Sequence, residues 1–269
     1  MKVFSIYSLG CKVNQYDGQL LREHFIAAGF TEQNDIWHNN AADGVEEDVF
    51  VLNTCTVTEE ADKECARILR KMKRVRPKAK VVVTGCAVTA KDQALRRHDS
   101  ADLVVGNENK GQLLDLYGQM MGHAAQSNPP VPSRITGFQK HCRAFVKIQD
   151  GCNEFCTFCK IPFVRGRNRS RAPQEIREEV AGLAANGYQE IVFTGVHAGN
   201  YGEGTALADL VGKIHDIDGI RRIRFSSIEP MNFSRDLIAR LSAFSKVCPH
   251  FHLPLQSGDD VVLRSMRRR

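Results

Sequence analysis

Three short apolar runs in the N-terminal part of the chain each stop at a cysteine. "VFSIYSLGC" ends at Cys11, "VFVLNTC" at Cys55 and "VVVTGC" at Cys86. Runs of this length, rich in Val, Ile and Phe and bounded by glycine or polar residues, read as buried strands. Helical spacing lies between them: "YDGQLLREHFIAAGF" sets Leu21, Phe25 and Ala28 on one face and closes at Gly29, suited to the left-handed position after a helix. Strands at 2–8, 49–53, 81–84 and 102–105, separated by helices, predict a parallel α/β sheet. In such a sheet all carboxyl ends lie on one edge, where ligands bind. Three thiols remote in sequence are thereby gathered, although the spacing alone leaves ordinary cysteines as an open alternative.

The Pro- and Ser-rich stretch "HAAQSNPPVPS" (123–133) reads as a linker. It divides a first domain, 1–122, from a second, 141–269, with 123–140 between them. Alternation resumes with "RAFVKIQ", a helix carrying Ile176, Val180 and Leu183 and closed by Gly187, then "EIVFTG", a helix over 206–216, "RIRFSS", a helix over 234–244, and "FHLPL". Four strand–helix units in series predict a (β/α) barrel or part of one, with its site on the loops at the carboxyl ends of the strands.

Composition narrows the chemistry. With 269 residues, 42% hydrophobic and 25% charged, the chain has the make-up of a folded globular protein. The start "MKVFSIYSLGC" lacks the pattern of a signal peptide, and no apolar run reaches the roughly 18 residues of a membrane helix. The sequence therefore predicts a cytoplasmic protein with no membrane partner. Nine cysteines, an odd number, point in a reducing compartment to metal or catalysis rather than a disulfide framework. The net charge of +6 and the basic runs at 67–80 and 165–171 predict contacts with a polyanion.

The most specific signal is "DGCNEFCTFCKIPFVRGRNRSR", in which Cys152, Cys156 and Cys159 form C-x3-C-x2-C directly after a strand. Three soft thiolates on one loop can hold three corners of an iron–sulfur cubane and leave one iron open. The alternative for this loop is zinc, but structural zinc takes four ligands and no fourth cysteine lies nearby in sequence. Cys65, Cys142 and Cys248 fit no ligand set.

The C-x3-C-x-aromatic-C pattern, with Phe158 as the aromatic, resembles the radical S-adenosylmethionine (SAM) superfamily. The longer string "GCN..C.FC..P..RG..RSR", together with "LGCKVNQYD", "LNTCTVTEEAD", "TGC", "SSIEP" and "LPLQSG", resembles its methylthiotransferases. Within these, "LGCKVNQ" and "NTCTVT" look most like the branch that modifies N6-threonylcarbamoyladenosine beside the tRNA anticodon.

The resemblance implies two 4Fe-4S clusters, one on Cys11, Cys55 and Cys86 and one on Cys152, Cys156 and Cys159, with SAM at the open iron of the second. It places Phe158, Gly195, Glu229 and Gln256 at the SAM pocket. Gly195 belongs to the Gly-rich loop after "EIVFT", while Glu229 and Gln256 close later barrel strands. His197 in that loop reads as a ligand or base or, more simply, as an ordinary surface histidine. Arg165 and Arg171 read either as anion contacts or as a solvated basic loop.

The implied reaction moves a methylthio group to C2 of the modified adenine at position 37. SAM serves both as methyl donor and, through reductive cleavage, as the source of a 5′-deoxyadenosyl radical. Its partners are the tRNA anticodon loop, an electron donor such as flavodoxin or ferredoxin, and a sulfur source. The competing readings are a methylthiotransferase acting on a ribosomal-protein aspartate and a non-catalytic iron–sulfur RNA-binding fragment. The family continues beyond "LRSMRRR" with further barrel strands and a small RNA-binding β-barrel, so about four of six barrel strands are expected in this chain.

Overall fold

The computed structural model describes residues 1–34, 37, 47–90, 100–122, 132–138, 141–204 and 206–268. Most of the predicted linker, 123–131 and 139–140, lies outside the described residues. The chain divides into two compact units, Met1–Ser133 and Arg134–Arg269.

In the first unit the elements run β1 (Lys2–Ser8), α1 (Lys12–Ala27), β2 (Thr31–Glu32), β3 (Glu47–Thr54), α2 (Glu59–Val75), β4 (Lys80–Gly85), α3 (Cys86–Thr89), β5 (Leu103–Val105), a 3-10 turn (Asn107–Gln112) and α4 (Leu113–Met120). The strands form one parallel sheet in the order β2-β1-β3-β4-β5. Both faces are covered by apolar side chains: Phe4, Phe25, Val49 and Tyr117 pack on one side, and Phe50, Leu69, Met72 and Val83 on the other. Strands buried on two faces must be apolar throughout, which is why these runs do not alternate.

Helix α1 starts four residues before the expected Tyr16, because Cys11 occupies the N-cap position with extended backbone. It ends as predicted. Gly29 lies at φ +83°, its amide bonds Ile26 O at 3.0 Å, and the Phe30 amide bonds Phe25 O at 3.0 Å, closing the carbonyls left open at a helix end.

The second unit contains β6 (Ala144–Lys147), β7 (Gln149–Asp150), α5 (Ile161–Arg165), β8 (Arg169–Ser170), α6 (Pro173–Ala185), β9 (Glu190–Thr194), α7 (Leu207–His215), β10 (Arg222–Phe225), α8 (Arg235–Ser242) and α9 (Asp260–Ser265). Strands β6, β9 and β10 form a parallel sheet in the order β10-β9-β6, the start of a (β/α) barrel. The predicted fourth strand "FHLPL" is corrected. Residues 251–255 make only an isolated parallel bridge, Ser227 to His252, with the Ile228 amide on His252 O at 3.1 Å. Pro254 has no amide to continue a ladder, and Leu253 and Leu255 are exposed rather than packed. The pair β7–β8, which sequence reasoning did not find, is an antiparallel clip across the base of the cysteine loop.

No described helix is long and apolar enough to cross a membrane.

Candidate metal centres

The register of the first sheet sets its cysteines at neighbouring strand ends. Ser8 pairs with Asn53 and Thr54 with Gly85, so Cys55 and Cys86 follow adjacent, paired residues, and Cys11 lies three residues beyond Ser8. Cys11 is exposed, whereas Cys55 and Cys86 are buried. Two glycines permit this convergence. Gly10, at φ +89°, passes so close that a Cβ there would lie 2.5 Å from Cys55 Sγ; Gly85, at φ +103°, would bring one to 2.4 Å from Thr54 O. Any side chain at either position meets both a clash and a backbone region that only glycine enters freely.

A polar network then pins the strand ends. Buried Asn14 donates from Nδ2 to Leu9 O at 2.7 Å, Thr54 O at 3.0 Å and Asn53 O at 3.2 Å. Asn53 Nδ2 donates in return to Asn14 O at 2.7 Å. The Thr54 hydroxyl donates to Thr84 O at 2.6 Å and accepts from the Ala87 amide at 3.2 Å. These bonds explain the polar residues of "GCKVNQ" and "LNTC". A buried amide must be satisfied, and this one is satisfied by fixing the backbone that carries two of the thiols.

In the second unit the cysteine loop leaves the sheet at Gly151, whose added Cβ would fall 2.0 Å from Arg167 O. The Cys152 amide bonds Gly166 O at 3.0 Å and the Cys159 amide bonds Cys156 O at 3.0 Å. Cys152, Cys156 and Cys159 are half-buried and line one cavity of about 160 Å³. Phe158, Glu229 and Gln256 line the same cavity. Gly195 is not part of its wall; an added Cβ there would meet Gln149 Oε1 at 2.8 Å, so its role is close packing behind the loop that carries Val196 and His197 into the cavity. Burial pushes the Cys152 and Cys159 thiols above their ordinary value, and neighbouring thiols add to the shift. Bound iron would reverse this, since it takes the thiolate.

His197 corrects the surface reading: it is only 2% exposed. Its Nε2 faces Asn232 Oδ1 at 2.8 Å, its Nδ1 faces Asn200 Nδ2 at 3.0 Å, and Asn232 Nδ2 donates to Asn200 Oδ1 at 3.1 Å. In this closed ring each amide donates once and accepts once, with Nε2 of the imidazole facing an amide oxygen and Nδ1 an amide nitrogen. Nδ1 stands 3.9 Å from Cys152 Sγ. Arg268, also missed from sequence, ion-pairs with Glu229 and donates to Pro254 O at 2.6 Å. A lone His and a terminal basic run carry no local signal for such partners.

Much of the predicted polyanion charge is used internally. Arg76, 2% exposed, pairs with Asp48 and donates to Ser5 Oγ at 2.7 Å. Lys73 meets Asp102 at 2.7 Å, and Lys71 stacks 3.7 Å from the Trp37 ring centroid. Arg165 pairs with Asp150 at 3.1 Å and Arg171 with Glu179 at 2.6 Å. Within the two basic runs, these five side chains have partners in the fold.

Cys65 lies outside both sets: it is buried, donates to Cys55 O at 3.8 Å, and burial pushes its thiol up to about 12. Cys142 is exposed and Cys248 buried.

Among the described residues no three His, Cys, Asp or Glu side chains converge on a single-ion site. A cubane binds each thiolate through a different iron, so its three sulfurs stand wider apart than ligands of one ion. In the second unit three thiols line one cavity, and in the first three cysteines follow neighbouring strand ends.

The Radical SAM superfamily matches residues 146–269, and the family described as "Uncharacterized protein family UPF0004" matches residues 3–106. A threonylcarbamoyladenosine tRNA methylthiotransferase of Chlamydia pneumoniae is 35% identical over 99% of this chain and 60% of its own length. Its Aquifex aeolicus counterpart is 36% identical over 100% of this chain and 66% of its own. A tRNA-2-methylthio-N(6)-dimethylallyladenosine synthase of Pelotomaculum thermopropionicum is 32% identical over 100% and 62%. This chain thus spans 60% to 66% of the length of these relatives. Among solved structures, the radical SAM methyltransferase TsrM of Kitasatospora setae, bound to tryptophan and a SAM analogue, aligns with a TM-score of 0.69 at 14% identity over 97% of this chain and 60% of that one. That likeness speaks to the fold alone. Both halves are matched, and the similar relatives are tRNA-modifying enzymes of two substrate types, which supports a radical SAM methylthiotransferase.

Proposed function

We propose that this chain carries the two iron–sulfur centres of a cytoplasmic enzyme that transfers a methylthio group to C2 of N6-threonylcarbamoyladenosine at position 37 of tRNA. The observation that carries the reading is the second thiol set. A radical SAM protein needs Cys152, Cys156 and Cys159; Cys11, Cys55 and Cys86 at one sheet edge give a second centre, which the transfer of a sulfur-containing group calls for. The names of the 34–36% identical relatives support the substrate.

When bound, the clusters and SAM supply the methyl group, the transferable sulfur and the hydrogen-abstracting radical. The chain's own residues do the rest. Cys152, Cys156 and Cys159 hold one centre at the cavity wall. Phe158, 53% exposed, and the polar Glu229 and Gln256 line the cavity that would take SAM, with Gly195 packing behind the loop that lines it. The His197–Asn200–Asn232 ring fixes the loop after β9. Cys11, Cys55 and Cys86 hold the second centre, with Cys11 on the exposed side. The adenine must leave its stack to reach either centre, as in other base-modifying enzymes. An electron donor of the flavodoxin or ferredoxin class and a sulfur source complete the set of partners.

Mass spectrometry of tRNA nucleosides from a strain lacking the gene tests the substrate. Loss of 2-methylthio-N6-threonylcarbamoyladenosine, restored by the intact gene and not by a Cys11→Ala copy, is the expected result. Loss of the dimethylallyl nucleoside instead would move the substrate to that of the other relatives.

A further inference from the structure

The 3-10 turn Asn107–Gln112 reaches across the carboxyl edge of the first sheet and touches the supports of two of its cysteines. Asn107 Nδ2 donates to Cys86 Sγ at 3.6 Å, and the Asn107 amide is anchored on Thr89 Oγ1 at 2.9 Å. One turn later the buried Lys110 ammonium lies 3.1 Å from Asn53 Oδ1, 3.4 Å from Asn14 Oδ1 and 3.3 Å from Asp17 Oδ2. Asn14 in turn holds Thr54 O, the carbonyl preceding Cys55. An amide hydrogen aimed at a ligand sulfur and a buried cation behind a ligand-bearing strand end both act on an iron–sulfur centre. Each stabilises the extra negative charge of the reduced state more than the oxidised one.

We infer that Asn107 and Lys110 are positioning residues that raise the reduction potential of the Cys11–Cys55–Cys86 centre. The inference rests on the reading that these three cysteines hold a cluster. Asn107 acts on the sulfur of Cys86 directly, and Lys110 acts as a fixed positive charge behind Cys55.

The test uses the full chain with Cys152, Cys156 and Cys159 replaced by Ala, so that one centre remains, reconstituted anaerobically and titrated electrochemically with spectroscopic detection. Lys110→Met should lower the midpoint potential. Loss of a positive charge near the centre disfavours its reduced state, and a tenfold change in the reduced-to-oxidised ratio at fixed poise is about 59 mV for a one-electron couple. Lys110→Arg should restore most of it. Asn107→Asp, nearly isosteric, should lower the potential as well, while Asn107→Ser, which keeps a donor, should shift it less. Iron bound normally with an unchanged potential in both Lys110→Met and Asn107→Asp overturns the inference and leaves the cluster reading standing. Failure of the parent triple variant to bind iron at all overturns both.

Discussion

Gly10 lies against Cys55: a Cβ on the glycine would sit 2.5 Å from the cysteine sulfur and 2.6 Å from its Cβ. Two positions 45 residues apart, each ending a strand's approach to the sheet edge, are therefore in van der Waals contact before any metal is considered. Gly10→Ala should destabilise the first unit by about 2 kcal/mol, through the clash and the φ of +89° together. It should also reduce iron bound on reconstitution by displacing Cys55. Denaturant midpoints and iron analysis measure the two effects, and an unchanged iron content would separate the glycine from the metal site.

Asn14 predicts a larger loss. Asn14→Leu keeps the branched shape of the side chain but removes the donor to Leu9 O, Asn53 O and Thr54 O. Buried carbonyls left without it make a cost of about 3 kcal/mol the expected order. A urea midpoint within experimental error of the parent would show that water replaces the amide.

Thiol reactivity follows burial. In iron-free protein at pH 8, exposed Cys11 and Cys142 should alkylate quickly with iodoacetamide. Cys65, its thiol pushed up to about 12, has only about one thiolate in ten thousand at that pH and should stay unlabelled until the protein unfolds. Peptide mass spectrometry over a time course reads the order directly.

The imidazole ring in the second unit gives a stability test. His197→Ala opens the ring of Asn200 and Asn232 and leaves a buried void, so the second unit should lose about 2–3 kcal/mol. His250→Ala, at an exposed position, should change stability by less than about 0.5 kcal/mol. Equal effects in thermal unfolding would contradict the burial of His197.

Glu190 sets an acid limb. Its partial burial raises the carboxyl, but hydrogen bonds from Arg222 and Arg224 outweigh this and hold it below its ordinary 4.5. A carboxyl depressed in the folded state contributes stability that is present above the unfolded value and lost as pH falls through the folded one. Stability of iron-free protein should therefore fall below about pH 4.5, and Glu190→Gln should flatten that slope while lowering stability at neutral pH. A slope identical in both proteins would assign the acid limb to other groups.

How much of this was readable without coordinates varies by element. The strands ending at Cys11, Cys55 and Cys86 were legible because each is a short apolar run stopped by turn residues, and Gly29 marked the end of α1 because only a left-handed residue closes a helix in that way. "FHLPL" misled because its composition is that of a strand while its environment is not: Leu253 and Leu255 are exposed. His197 was misread because burial depends on Asn232, 35 residues away. The basic runs were legible only as charge, because charge counts do not show whether Arg76 or Arg165 already has a carboxylate partner.

By itself, then, the sequence determined the order of elements, the α/β class and the loop of Cys152, Cys156 and Cys159, all of which are written in local period and spacing, while the resemblance alone grouped Cys11, Cys55 and Cys86. Tertiary structure alone decided which strands are neighbours, and hence that Thr54 and Gly85 pair and carry Cys55 and Cys86 side by side. It also decided that Asn107 and Lys110 come to the same edge. Those relationships are contacts across tens of residues, set by register and by the need of buried polar groups for partners, and no window along the chain contains them.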